Sequence, residues 1–261
     1  MKINRIYAIV IKIMYSFTHS YDRIADAFYW PTMDLLLWGL TSTYFKTTAA
    51  GNSKIIMVIV SGILLWIIVW RGQFEITVNL LEDLWDRNLI NIFATPLKFS
   101  EWITAFIIVG LIKAALSLLF AIGMAYLLYQ TNLFVLGFNL IPFIFLLILT
   151  GWWAGFFIAG VILRFGSKVQ TFAWGMIYLI SPFSAIYYPV ATLPAWAQKI
   201  SLIVPTSYVF EGAREMIGKG ILDYRKLLIS LALNIFYLIL ALIFLRKSFD
   251  KVLDKGLVKV F

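Results

Sequence analysis

The sequence predicts an all-α integral membrane protein with six membrane spans in one transmembrane unit, residues 1–261. Composition comes first. Of the 261 residues 62% are hydrophobic and 13% charged, whereas soluble domains are about half apolar and a quarter charged. The second observation is periodic: apolar runs of roughly 20 residues, the length needed to cross a bilayer, recur along the chain. The third is where the basic residues fall. The net charge of +9 sits mainly at the ends of apolar runs, the pattern of a membrane topology and not a nucleic-acid patch.

The spans are predicted at residues 28–45, 55–70, 102–129, 138–163, 171–186 and 227–245. The first opens at Trp30-Pro31, and proline suits a first helical turn because its missing N–H is not needed there. The second continues as helix past Arg71 toward Leu81. Residues 47–54, TTAAGNSK, read as a short polar turn. Gly151 and Gly155 of GWWAG have the GxxxG spacing that lets helices approach closely. Placing both termini inside puts thirteen of the 22 Lys and Arg residues on the inner side, seven outside, and Arg71 and Lys113 within helices. Both termini are therefore expected to be cytoplasmic, in a plasma (inner) membrane.

Residues 1–27 read as a helix lying in the membrane plane, the alternatives being a frayed terminus or a partly buried core helix. Lys2, Arg5, Lys12, Ser16, His19 and Arg23 recur at helical spacing on one face, apart from Ile6, Ile9, Val10, Ile13, Met14 and Phe17. Lys12 interrupts the apolar patch and no small-residue cleavage site follows, so the segment is expected to be retained.

Three charges fall at membrane depth. Asp34 and Arg71 are expected near the same interface, either paired across helices or separately reaching water. Lys113 lies roughly 18 Å along a helix from Glu101 at 1.5 Å per residue. An intramembrane lysine costs about 2.5–3.5 kcal/mol. It either lines a substrate path or interface, or bonds to Ser117 or a carbonyl and fixes packing.

The segment NLLEDLWDRNLINIFATPLKFSEW, residues 79–102, leaves the membrane between the second and third spans. It clusters Glu82, Asp83, Asp86 and Arg87, turns near Thr95-Pro96, and is expected to cap a new helix at Ser100. A short helix here would turn Leu84, Leu89, Ile92 and Phe93 toward a partner, or toward lipid and its own bundle. Residues 187–220, before the last span, are apolar yet broken by Pro189, Pro194 and Pro205. Such a segment either rests on the outer surface or dips into the membrane where protein or water covers its backbone.

With no cysteine and one histidine, thiolate chemistry and a cysteine or histidine metal cluster are excluded. A membrane enzyme would need a nucleophile with a base or paired acids, and the carboxylates are scattered. A secondary transporter or channel would show inverted repeats and midplane ionisable residues. Only Lys113 stands there, and no repeat is visible.

The six spans, the basic first helix, LEDLWDRNLINIFATPL after the second span, FYWPTMDLLLWGL in the first, and IYYPVATLPAWAQKISLIVPTSYVFEGAREMI before the last together resemble the membrane subunits of type 2 ABC exporters. The resemblance covers essentially the whole chain. It implies a homodimeric or paired permease, with two copies of a separate ABC-type ATPase that binds ATP and magnesium. No cofactor is expected in this chain, and GxxxxGK[ST], the phosphate-cradling loop, is missing: the only Gly-Lys is Gly218-Lys219.

By the resemblance, residues 82–98 form a cytoplasmic coupling helix that docks the ATPase, with Glu82, Asp83, Leu84, Asp86, Arg87, Asn88 and Pro96 at the contact. Residues 187–220 form an outer re-entrant gate, carried by Pro189, Pro194, Trp196, Pro205, Tyr208, Glu211 and Arg214. The implied cargo is an amphiphile such as a drug, antibiotic, lipid or glycan.

Overall fold

The computed structural model describes residues 1–48 and 54–255. Most of the predicted polar turn lies outside them, as do the side chains of Phe93 and a few other residues. Every regular element among the described residues is helical. Ten α-helices follow in order: α1 Ile3–Thr18, α2 Tyr21–Thr48, α3 Lys54–Trp85, α4 Leu89–Ala94, α5 Phe99–Tyr129, α6 Leu140–Phe165, α7 Gln170–Ile180, α8 Ala195–Ser201, α9 Pro205–Lys219 and α10 Tyr224–Lys255. Short 3-10 turns precede α6 and flank α7.

Among the described residues four segments are long and apolar enough to cross a membrane: Ile56–Trp85, Phe99–Tyr129, Leu133–Phe165 and Tyr224–Val252. Their outward faces are apolar, as at Leu119, Phe145, Phe236 and Ile243, and the protein is membrane-embedded. The two other expected spans differ. Helix α2 has 28 residues, but Asp22, Arg23, Asp26 and Asp34 dilute its apolar character. The span expected at 171–186 is an 11-residue helix, α7, continued by a 3-10 turn at Ser181–Phe183. Eleven residues rise only about 16 Å, half of a hydrocarbon core.

The first helix is shorter than expected. It stops at Thr18, where His19 leaves helical geometry and stacks on Tyr15 at 3.9 Å. Residues 21–27 belong instead to α2. Ile6, Ile13 and Phe17 of α1 are buried against the bundle, while Ile3, Tyr7, Ile11 and Tyr15, spaced by four, are exposed.

Pro31 lies inside α2 and does not start it. A proline within a helix removes one N–H and frees the carbonyl four residues earlier, here that of Ala27. The Ser117 hydroxyl of α5 donates to that carbonyl at 3.0 Å. A backbone acceptor that water cannot reach is thereby satisfied by a neighbouring helix.

Helix α3 is the axis of the bundle, packed against α2, α5, α6, α7 and α9. From Val60 to Leu84 nearly every residue is buried. The GWWAG spacing marks its closest approach to α6: a Cβ on Gly151 would lie 2.8 Å from the Val69 carbonyl oxygen and 2.9 Å from Gly72 Cα. Helix α5 starts at Phe99 with Lys98, not Ser100, at its cap, because Glu101 reaches back to accept from the Lys98 amide at 3.0 Å. Gly151→Val is expected to destabilise the chain by about 1–3 kcal/mol or more through forced separation of α3 and α6. Gly123→Val, where a Cβ meets nothing within 4 Å, should leave thermal unfolding in detergent nearly unchanged.

Candidate functional site

Functional side chains gather at three levels of the bundle. The deepest is an ion network between α2, α3 and α5. Arg71, 1% exposed, donates from Nη1 to Asp26 Oδ2 at 3.0 Å and to Glu75 Oε1 at 3.4 Å. Its Nη2 donates to the Asp26 carbonyl. Lys113, 5% exposed, donates to Glu75 Oε2 at 2.6 Å and places its ammonium over the Phe17 ring at 4.8 Å. Asn79 donates to the same Glu75 oxygen at 3.3 Å. Two cations thus meet two carboxylates. Burying charges is tolerable only when they are paired and further hydrogen-bonded.

Two expectations change here. Arg71 does not pair with Asp34. Asp34 lies eight residues further along α2 than Asp26, about 12 Å higher at helical rise, and it forms no ion pair among the described residues. Lys113 does not bond to Ser117, whose hydroxyl serves the Ala27 carbonyl. Asp26 and Glu75 escaped the sequence reading. Arg71, Glu75 and Asn79 recur at i, i+4 and i+8 on one helix face, a signal that was present in the sequence. A cavity of about 270 Å³ opens beside the network, lined by Asp22, Arg23, Glu82 and Trp174 as well as Asp26, Glu75 and Lys113.

At the α1 end, basic residues of the first two helices pair with acids at the end of α3 and the start of α5, on either side of the α3–α5 connection. Arg23 meets Glu82 at 2.8 Å and Lys12 meets Asp83. Glu101 accepts from the Lys2 amide at 2.6 Å and from Arg5 at 3.4 Å, and Arg5 also donates to the Pro96 carbonyl. The basic stripe of the first helix is thus largely spent within the chain. Of the residues expected at an ATPase contact, Glu82 and Asp83 are engaged in these pairs, and Leu84 is buried. The apolar face of the connection also turns inward: Leu84 and Leu89 join the core around Trp102 and Phe106. Asp86, Arg87 and Pro96 are exposed and Asn88 half-buried. Beside them Trp85, 47% exposed, forms the tip where Arg87 takes a left-handed conformation (φ 52°) and ends α3.

At the opposite end, the three prolines break residues 187–220 as their chemistry requires. Pro189 and Pro194 precede a 3-10 turn and α8, and Pro205 opens α9. Glu211 Oε1 accepts from the Val190 amide at 2.8 Å and from Arg214 at 2.9 Å. Arg214 also donates to the Ala185 carbonyl at 2.6 Å, beside a left-handed Ala185 (φ 59°). Burial pulls the Arg214 guanidinium below its ordinary value, and the Glu211 carboxylate opposes that shift.

Tyr208 donates to the Leu202 carbonyl at 2.9 Å, closing the bend between α8 and α9. Trp196 is exposed, edge-on to Phe183 at 6.0 Å. A cavity of about 710 Å³ lies here, lined by Trp38, Phe45, Tyr187, Tyr188 and Arg214. Trp38 and Tyr187 stack within it at 4.0 Å.

These levels define a membrane-embedded helical protein with a polar, ion-paired interior. No group of three His, Cys, Asp or Glu side chains placed to hold a metal occurs among the described residues. No family model matches the chain, and no curated protein matches it.

Lys113→Met leaves the Glu75 carboxylate short of a buried partner and is expected to cost about 3–5 kcal/mol, read as a lower melting temperature in detergent. Adding Glu75→Gln should recover part of that loss. Asp34→Asn should change stability by less than about 0.5 kcal/mol.

Proposed function

We propose that this chain is the membrane-spanning permease subunit of an ATP-driven ABC exporter, working as a dimer with two separate ATPase chains. In this reading α2 and α7 with its 3-10 turn complete a six-span layout. Both termini are cytoplasmic. The α3–α5 connection is the coupling segment, and residues 187–220 are the re-entrant gate on the outer side.

One observation carries the reading: α3 is a single helix joining the two regions that such an exporter must couple. At one end it finishes in the exposed tip Trp85, Asp86 and Arg87. Toward the other, Gly62 lies against the Ile186 carbonyl, with 2.7 Å left for a Cβ, and Trp66 packs on Phe210 at 6.2 Å between ring centres. A push at the tip moves a rigid rod whose far end touches the broken segment. ATP drives such a change only by binding one state of the assembly better than the other. The cargo is an amphiphile, in keeping with the aromatic 710 Å³ cavity at the gate end.

A second reading, an ATP-independent secondary transporter or channel, is favoured by the charged 270 Å³ cavity beside Glu75 and Lys113. Intramembrane ionisable groups mark ion pathways in such proteins.

Co-expression with an ATPase encoded beside this chain decides between them. A stable complex with about two copies of each is expected. Trp85→Ala, Asp86→Ala and Arg87→Ala combined should abolish it while membrane insertion persists. Transport that needs no ATPase, follows a proton gradient and fails in Glu75→Gln would replace the exporter reading with the second.

A further inference from the structure

We infer that the groove between α1 and α4 is a binding site for one anionic phospholipid. Its phosphate is held at Arg5 and Lys12, and an acyl chain lies along Ala8, Ile9, Ile92 and Leu97. The inference requires only that α1 lie on a membrane and does not rest on the exporter reading.

The groove has a volume of about 460 Å³, and its lining residues include two cations and no acid. The immediate charge balance is also positive. Lys2, Arg5, Lys12 and Lys98 cluster here against Asp83 and Glu101, and both of those carboxylates are buried. Neither Lys2 nor Lys98 forms an ion pair among the described residues.

The two cations at the groove keep donors for a ligand. Lys12 stays 43% exposed in its pair with Asp83, and an ammonium has three donors. The bonds from Arg5 to Pro96 and Glu101 both leave from Nη1, and a guanidinium has five donors in a fork suited to phosphate oxygens.

The exposed row Ile3, Tyr7, Ile11 and Tyr15 on α1 points to lipid as the occupant. An amphipathic helix with such a row settles at the depth of the headgroups, where tyrosine is also favoured. The groove borders that row at Ala8, so a lipid lying against the row reaches it. Basic residues at that depth attract anionic lipids. The apolar floor holds the chain, and the cationic rim selects the headgroup.

The test uses the full chain in neutral detergent, supplemented with phosphatidylglycerol or phosphatidylcholine at equal mole fraction. Thermal unfolding is followed, and retained lipid is counted by native mass spectrometry. Phosphatidylglycerol should raise the melting temperature by about 5 °C more than phosphatidylcholine and remain bound. Ala8→Trp fills the groove at an exposed position. It should melt like the wild type in phosphatidylcholine and lose the phosphatidylglycerol response. Arg5→Gln with Lys12→Gln should lose the response too.

Equal stabilisation by both lipids would overturn the site. So would a full phosphatidylglycerol response in Ala8→Trp, which would mean diffuse attraction. Inorganic phosphate reproducing the shift would assign the rim to a free anion. Loss of a bound protein partner in Ala8→Trp, with lipid preference intact, would make the groove a protein seat.

Discussion

The structure depends on a requirement that water meets elsewhere and lipid cannot: every buried charge and every freed backbone group needs a partner from the chain itself. Arg71 is the strictest case. It is among the largest side chains fully buried in the fold, on α3, the helix packed against α2, α5, α6, α7 and α9. Its guanidinium binds α2 through Asp26 and binds Glu75 on its own helix. Glu75 in turn binds Lys113 of α5. Three helices are thus fixed in register by directional contacts, where apolar packing alone would let them rotate or slide.

The same requirement explains the α1 end. A short amphipathic helix whose buried residues are Ile6, Ile13 and Phe17, flanked by half-buried Ile9, Val10 and Met14, has a modest apolar anchor. Its basic residues, with Arg23 of α2, fasten it to Glu82, Asp83 and Glu101 around the start and end of the α3–α5 connection. The connection is therefore braced and not loose. What it presents outward is narrow, chiefly Trp85, Asp86, Arg87 and the turn at Pro96.

Much of this was legible in the sequence. Hydropathy located the helices that cross, GWWAG marked α6 for a close helix approach without naming α3 as the partner, and the prolines between residues 187 and 220 marked each break. What escaped was pairwise. Composition along one segment cannot tell whether Arg71 faces Asp26 or Asp34, since both lie on α2 and the choice depends on relative depth and rotation. Nor could it assign Glu82 and Asp83 to Arg23 and Lys12, since acids on an amphipathic stretch look alike whether they face a partner or the chain's own first helix. The predicted fifth helix ran past the end of α7 because apolar character continues through Ser181-Pro182 while the α-helix does not.

The bond from Ser117 to the Ala27 carbonyl carries a consequence for biosynthesis. Helix α2 is made first, with the Asp26 carboxylate, the Ala27 carbonyl freed by Pro31, and a diluted apolar surface. Its partner Arg71 follows 45 residues later and Ser117 90 residues later than the atoms they satisfy. Until α3 and α5 have emerged from the ribosome, the Asp26 carboxylate and the Ala27 carbonyl lack the partners they have in the fold. The docking of α2 is thereby tied to helices translated after it, which makes the order of assembly differ from the order of synthesis.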